Sequence, residues 1–105
     1  MIYIFDIDGT ICNTPLVDGH RSYHTSEPIK PRINCVNELY LKGHTIIYWT
    51  ARGASTGLDW SELTSKQLKE WGCLYHELRL GKPNYDIWVD DKAINDLNFF
   101  EETKC

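Results

Sequence analysis

Ile2-Tyr3-Ile4-Phe5 is an unbroken apolar run that leads straight into Asp6-Ile7-Asp8-Gly9-Thr10. A short apolar segment without polar alternation marks a strand covered on both faces, as in a parallel sheet. Two carboxylates directly behind such a strand have no packing role. In open α/β sheets, ligands bind beyond the carboxyl ends of the strands. The start of the chain therefore constrains both the fold class and the place where chemistry is expected.

The same pattern returns twice. His44–Trp49 is apolar from Ile46 onward and ends in Thr50-Ala51-Arg52-Gly53, and Tyr85–Val89 is apolar and ends in Asp90-Asp91. Leu74–Leu78 has polar members and reads as an edge strand. Pro31 or Arg32 opens a helix with Ile33, Val36, Leu39 and Tyr40 on one face and a stop at Gly43. Asp59-Trp60-Ser61-Glu62 has capping-box spacing for a second helix that stops at Gly72. Ala93, Ile94, Leu97 and Phe100 line a terminal helix. This alternation predicts a three-layer, Rossmann-like α/β core, with a mostly parallel sheet of about four strands and helices on both faces.

Residues 11–31 hold no sustained period and contain Pro15, Asp18-Gly19 and Pro28. They read as a long loop with a small hairpin at Asp18-Gly19. A loop of this length in a small domain is usually functional, and a flap over the site is expected.

With 105 residues the chain holds one domain, 1–105. At 42% hydrophobic residues it is too apolar for disorder. The net charge of −4 argues against a nucleic-acid partner, which favours a basic face. Cys12, Cys35, Cys73 and Cys105 form no CxxC pair, so neither a zinc knuckle nor a disulfide framework is suggested. No basic leader precedes the first strand, and no apolar stretch reaches the roughly 18 residues of a membrane span. A soluble cytoplasmic protein with no membrane partner is expected.

A single parallel sheet would gather Asp6, Asp8, Thr50 and Asp90-Asp91 at one edge, with Lys82 on a loop beside them. Crowded carboxylates repel unless a cation is present, and oxygen donors without His or Cys point to Mg²⁺. An acid cluster around Mg²⁺ with a Lys and a hydroxyl nearby is a phosphate site.

These residues resemble the haloacid dehalogenase (HAD) superfamily of phosphohydrolases. Asp6-Ile7-Asp8-Gly9-Thr10 matches its first motif, Tyr48-Trp49-Thr50 its second, Lys82 in Gly81-Lys82-Pro83 its third, and Val89-Asp90-Asp91 its fourth, all in the family's order. The resemblance covers residues 2 to about 100. It implies Asp6 as nucleophile forming an aspartyl phosphate, Asp8 as general acid and base, and Thr50 and Lys82 as phosphate ligands. It also implies Mg²⁺ held by Asp6, the Asp8 carbonyl and the Asp90-Asp91 pair, which of those two touches the metal being open.

An acid at the second position of the first motif favours phosphoryl transfer over dehalogenation. No insert exceeds about 20 residues, so the chain lacks a cap domain and resembles small capless phosphatases of bacterial polysaccharide biosynthesis. The resemblance thus implies a Mg²⁺-dependent phosphomonoesterase for a small phosphorylated metabolite such as a sugar phosphate. A homo-oligomer that caps its own site is compatible with it. His20, Arg21 and His24 of the flap, together with Arg52, are candidates for substrate contact. A polynucleotide or protein phosphatase with an open site is the alternative enzyme, and a non-hydrolytic phosphoacceptor or binding module the alternative of another class.

Each residue also has a plainer reading. Asp and Gly favour turns, Thr50 could be a strand-end hydroxyl, Lys82 an ordinary solvated lysine, and Arg52 a structural ion-pair partner. The histidines could be surface residues. Cys12 could be packing, or a thiol that sensitises the site to oxidation.

Overall fold

The structure is a computed structural model that describes residues 1–103. Strand β1 (Ile2–Phe5) pairs in parallel with β6 (Thr45–Trp49), which pairs in parallel with β7 (Glu77–Arg79), giving a three-stranded sheet of order β1-β6-β7. Short strands β2 (Cys12–Asn13), β3 (Leu16–Val17), β4 (His20–Arg21) and β5 (Glu27–Pro28) lie between β1 and helix α1 (Lys30–Leu41). Helix α2 (Ser61–Glu70) links β6 to β7, and α3 (Asp96–Thr103) follows. The chain is a compact α/β fold, and the edge strand expected over Leu74–Leu78 is found as β7, shifted to Glu77–Arg79.

Register explains which side of the sheet is covered. Tyr3 lies opposite Ile46 and Phe5 opposite Tyr48, and strand alternation puts these four on one face. Phe5, Ile46 and Tyr48 are buried in a cluster with Ile33, Val36 and Leu39 of α1 and with Leu68 of α2. Phe99 and Phe100 of α3 pack on the same side, with ring centroids 5.5 and 6.2 Å from Phe5. Ile2 and Ile4 point the other way and are 70% and 53% exposed. The expectation of helices on both faces is therefore corrected: among the described residues the helical packing falls on one face.

The expected fourth strand is corrected too. Tyr85–Val89 belongs to no strand, and Ile87 and Val89 are 81% and 91% exposed. The reason is where the segment begins. The Lys82 N–H donates to the Thr50 carbonyl at 3.1 Å, and the Lys82 ammonium sits 5.3 Å from the Tyr85 ring centroid. Trp88 packs edge-on against Trp49, the last residue of β6. The segment thus starts at the carboxyl end of the sheet, where a strand parallel to β1 would have to finish.

The loop over residues 11–31 is more ordered than its composition predicts. β3 and β4 form the hairpin expected at Asp18-Gly19, whose φ values of 52° and 77° are those of a left-handed two-residue turn. β2 and β5 zip its base, and Ser26 Oγ lies 2.7 Å from Thr14 Oγ1.

Cys12 and Cys73 are free buried thiols, whereas Cys35 is disulfide-bonded, a bridge that the cysteine spacing did not suggest. Among the described residues, no helix is long and apolar enough to cross a membrane.

Candidate active site

Asp6 is the residue directly after β1, and Gly9-Thr10 turns the chain sharply away beneath it. The turn is closed by N–H donation from Thr10 and Ile11 to the Ile7 carbonyl, both at 3.0 Å, and Gly9 takes φ 81°. Burial of Ile7 and Ile11 in the core locks this loop from below, so that Asp6 and Asp8 project from its upper side.

Asp6 faces a cavity of about 140 Å³ that is also lined by Asp8, Arg21, Lys82 and Tyr85. Lys82 Nζ lies 3.5 Å from Asp6 Oδ1, and the Thr10 hydroxyl donates to Asp6 Oδ2 at 3.4 Å. The Asp6 side chain remains 35% exposed and so is open to a ligand. Burial pushes its pKa above the ordinary carboxylate value; Lys82 opposes that shift and neighbouring Asp8 adds to it.

Asp8 is held quite differently. The Arg52 guanidinium donates from Nε to Oδ2 and from Nη2 to Oδ1, both at 2.9 Å, and the Thr14 hydroxyl donates to Oδ1. Burial alone would raise the Asp8 pKa, but these bonds and the Arg52 charge outweigh it and hold the carboxyl below its ordinary value. The two acids are therefore driven apart in protonation, Asp6 upward and Asp8 downward.

Arg52 is spent within the protein. Its Nη1 donates to Gln67 Oε1 at 2.6 Å and to Thr64 Oγ1 at 3.2 Å, both on α2, and its Cζ lies 4.8 Å from the Tyr23 ring centroid. Its side chain is 0% exposed and ion-paired to Asp8, as the plainer reading had it, although the residue also borders the Asp6 cavity. Thr50 directly follows β6, yet it is 1% exposed, and its Oγ1 accepts the Arg52 N–H at 3.1 Å.

Of the flap candidates, Arg21 reaches the cavity. His20 is exposed on β4, and His24 is exposed and packs on Trp60 with ring centroids 5.4 Å apart, so neither lines it. Arg21 also borders a second cavity, of about 370 Å³, with Asn13, Thr14, Thr25 and Glu27. Sequence reasoning missed Asn13, Thr14, Thr25 and Glu27, because an irregular loop has no period that singles out inward side chains. Gln67 and Tyr23 were missed for the same kind of reason: their partner, Arg52, lies 15 and 29 positions away in sequence.

The acid pair Asp90-Asp91 is not brought to Asp6. Asp90 accepts from the Lys92 N–H at 3.0 Å and from Trp88 Nε1 at 3.4 Å, and both acids are exposed. Among the described residues no group of three or more His, Cys, Asp or Glu side chains is placed to hold a metal ion. Asp8 is moreover committed to Arg52. The donor set expected for Mg²⁺, Asp6 with Asp8, Asp90 and Asp91, is thus not assembled within one chain.

No family model and no curated protein matches the chain. Among solved structures it is similar to the crystal structure of an MCSG target from Vibrio cholerae, at 23% identity and a TM-score of 0.77, over 93% of this chain and 85% of that one. At that identity the likeness is one of fold.

Proposed function

We propose that the chain is a phosphoric monoester hydrolase of HAD type, with Asp6 as nucleophile and a small hydroxyl-rich phosphate ester, such as a sugar phosphate, as substrate. The observation that carries this reading is the open Asp6 carboxylate set beside Lys82 in a cavity that Arg21 also borders. Two cations around one accessible carboxylate suit a phosphoryl group, whose oxygens they neutralise while the carboxylate attacks in line.

Attack by Asp6 forms an acyl phosphate and breaks the bond between phosphorus and the ester oxygen; the leaving oxygen takes a proton. Water then opens the acyl phosphate and gives up a proton. Ionised Asp8, held by Arg52 and Thr14, suits this second half as the proton acceptor. In the first half, protonated Asp8 would have to loosen from the Arg52 fork to give that proton to the leaving oxygen.

The larger cavity lies on the Asp8 side of the site, where the leaving group would depart. Asn13, Thr14, Thr25 and Glu27 offer amide, hydroxyl and carboxylate groups to hydroxyls, and no aromatic ring lines it. A nucleobase would find no stacking partner there, whereas a polyol would find hydrogen bonds.

Phosphate release from sugar phosphates, nucleotides and a 3′-phosphorylated oligonucleotide, for wild type and Asp6→Asn in parallel, tests this reading. Release from a sugar phosphate, abolished in the mutant and accompanied by an acyl phosphate detectable by mass, is the expected result. No release from any ester, or full activity of Asp6→Asn, overturns it.

A further inference from the structure

The structure leaves two apolar surfaces uncovered. One belongs to β1, the terminal strand of its sheet, with Ile2 and Ile4 exposed and its outer backbone edge unpaired by any strand among the described residues. The other is the segment Asp86-Ile87-Trp88-Val89, in which Ile87 and Val89 are 81% and 91% exposed. An extended apolar edge of this kind is a template for another strand, and solvent is a poor neighbour for both surfaces.

The two also match in pattern. Ile2-Tyr3-Ile4-Phe5 runs into Asp6, and Asp86-Ile87-Trp88-Val89 runs into Asp90. Laid parallel with Val89 level with Phe5, Ile87 and Val89 would lie on the side of Tyr3 and Phe5, which faces the core. Asp90 would then stand beside Asp6.

A chain cannot make this pairing with itself while Lys82 keeps its place. In that register Tyr85 lies four residues below the carboxyl end of the sheet, about 13 Å, and two strand spacings, about 10 Å, across from β6. Lys82 is anchored at the end of β6 by its bond to the Thr50 carbonyl. The three residues from Lys82 to Tyr85 span at most about 10 Å, against a required distance of about 16 Å.

We infer that the segment Asp86–Asp91 of one copy adds to the outer edge of β1 in a second copy, so that each copy completes the other's site with Asp90-Asp91. A two-fold arrangement with antiparallel sheets puts the carboxyl end of one sheet near the amino end of the other, within the tether from Lys82. The contact is isologous, because segment and slot lie on every chain. This inference rests on the functional reading in one respect, the use to which the acids are put. They join Asp6 as the oxygen donors that a hard divalent cation requires.

The test has two arms. In the first, which needs no activity, light scattering gives the mass of the wild type and of Ile87→Arg. Separately tagged chains carrying Ile2→Cys and Asp86→Cys are mixed and treated with a short thiol-bridging reagent. A wild-type dimer, a folded monomer for Ile87→Arg, and bridging between the two tagged chains are expected. A monomeric wild type, or no bridging between chains, overturns the inference whatever the protein catalyses.

In the second arm, inactive Asp6→Asn is mixed with an inactive Asp90→Asn/Asp91→Asn double mutant in Mg²⁺. Every mixed dimer then holds one intact site, so about a quarter of wild-type activity returns. Active wild type with no recovery on mixing refutes the exchange. Bridged dimers of an inactive wild type uphold the interface and refute the phosphatase instead.

Discussion

Arg52 grips Asp8 through both sides of its guanidinium, Nε to Oδ2 and Nη2 to Oδ1, each at 2.9 Å. Residues 44 positions apart are thereby joined across the top of the sheet. Because Arg52 also donates to Thr64 and Gln67, the pair ties the first loop of the site to α2. Breaking a buried pair from one side strands the remaining charge, so Arg52→Ala is expected to lose about 3–5 kcal/mol of stability in urea unfolding. Arg52→Lys should recover little of it, since a point charge cannot reproduce the fork. A loss below about 1 kcal/mol for Arg52→Ala would show the pair to be peripheral.

The opposite displacements of Asp6 and Asp8 give opposite pH signatures. Asp8 is depressed in the folded state, so its contribution to stability is present above the ordinary value of 3.8 and is lost as pH falls below it. Asp6 is raised, so its ionisation works against folding at neutral pH. In EDTA, Asp6→Asn should be more stable than wild type at pH 7, with the gain vanishing near pH 3. Asp8→Asn should be less stable at pH 7. Urea titrations at the two pH values decide it, and matching signs for the two mutants would contradict the assigned environments.

Much of this arrangement was legible in the chain. The apolar run Ile2–Phe5 is β1, Thr45–Trp49 is β6, and Asp18-Gly19 is a hairpin turn, because each depends on side chains near in sequence. Tyr85–Val89 carries an equally strong strand pattern and yet joins no strand among the described residues. Its fate is set by the bond between Lys82 and Thr50, a tether that no local pattern encodes. Arg52 shows the same limit. Its residue type suited substrate or ion pair equally, and only the packing of α2 against the first loop seals it away.

Burial, not proximity to the acids, decides how the free thiols behave. Burial pushes Cys12 and Cys73 up to about 11 each. Since the thiolate is the reacting form, neither should be alkylated by iodoacetamide at pH 8 while the protein is folded, and both should be in urea. Rapid native modification of Cys12, read by peptide mass, would show that the loop carrying Thr14 opens readily.

Arg21 is the one flap candidate that the fold delivers to the site, and it borders both cavities. It lies on β4 within a surface hairpin, so its removal should leave the core intact. If it neutralises the phosphoryl group in the ground and transition states alike, Arg21→Ala will raise KM about tenfold, the worth of one charge-assisted hydrogen bond, and leave kcat nearly unchanged. A comparable fall in kcat would mean that Arg21 acts on charge developing in the transition state. Unchanged values of both would remove it from the site. His20→Ala and His24→Ala supply the comparison: both are exposed and outside the cavities, and each should leave KM and kcat as they are.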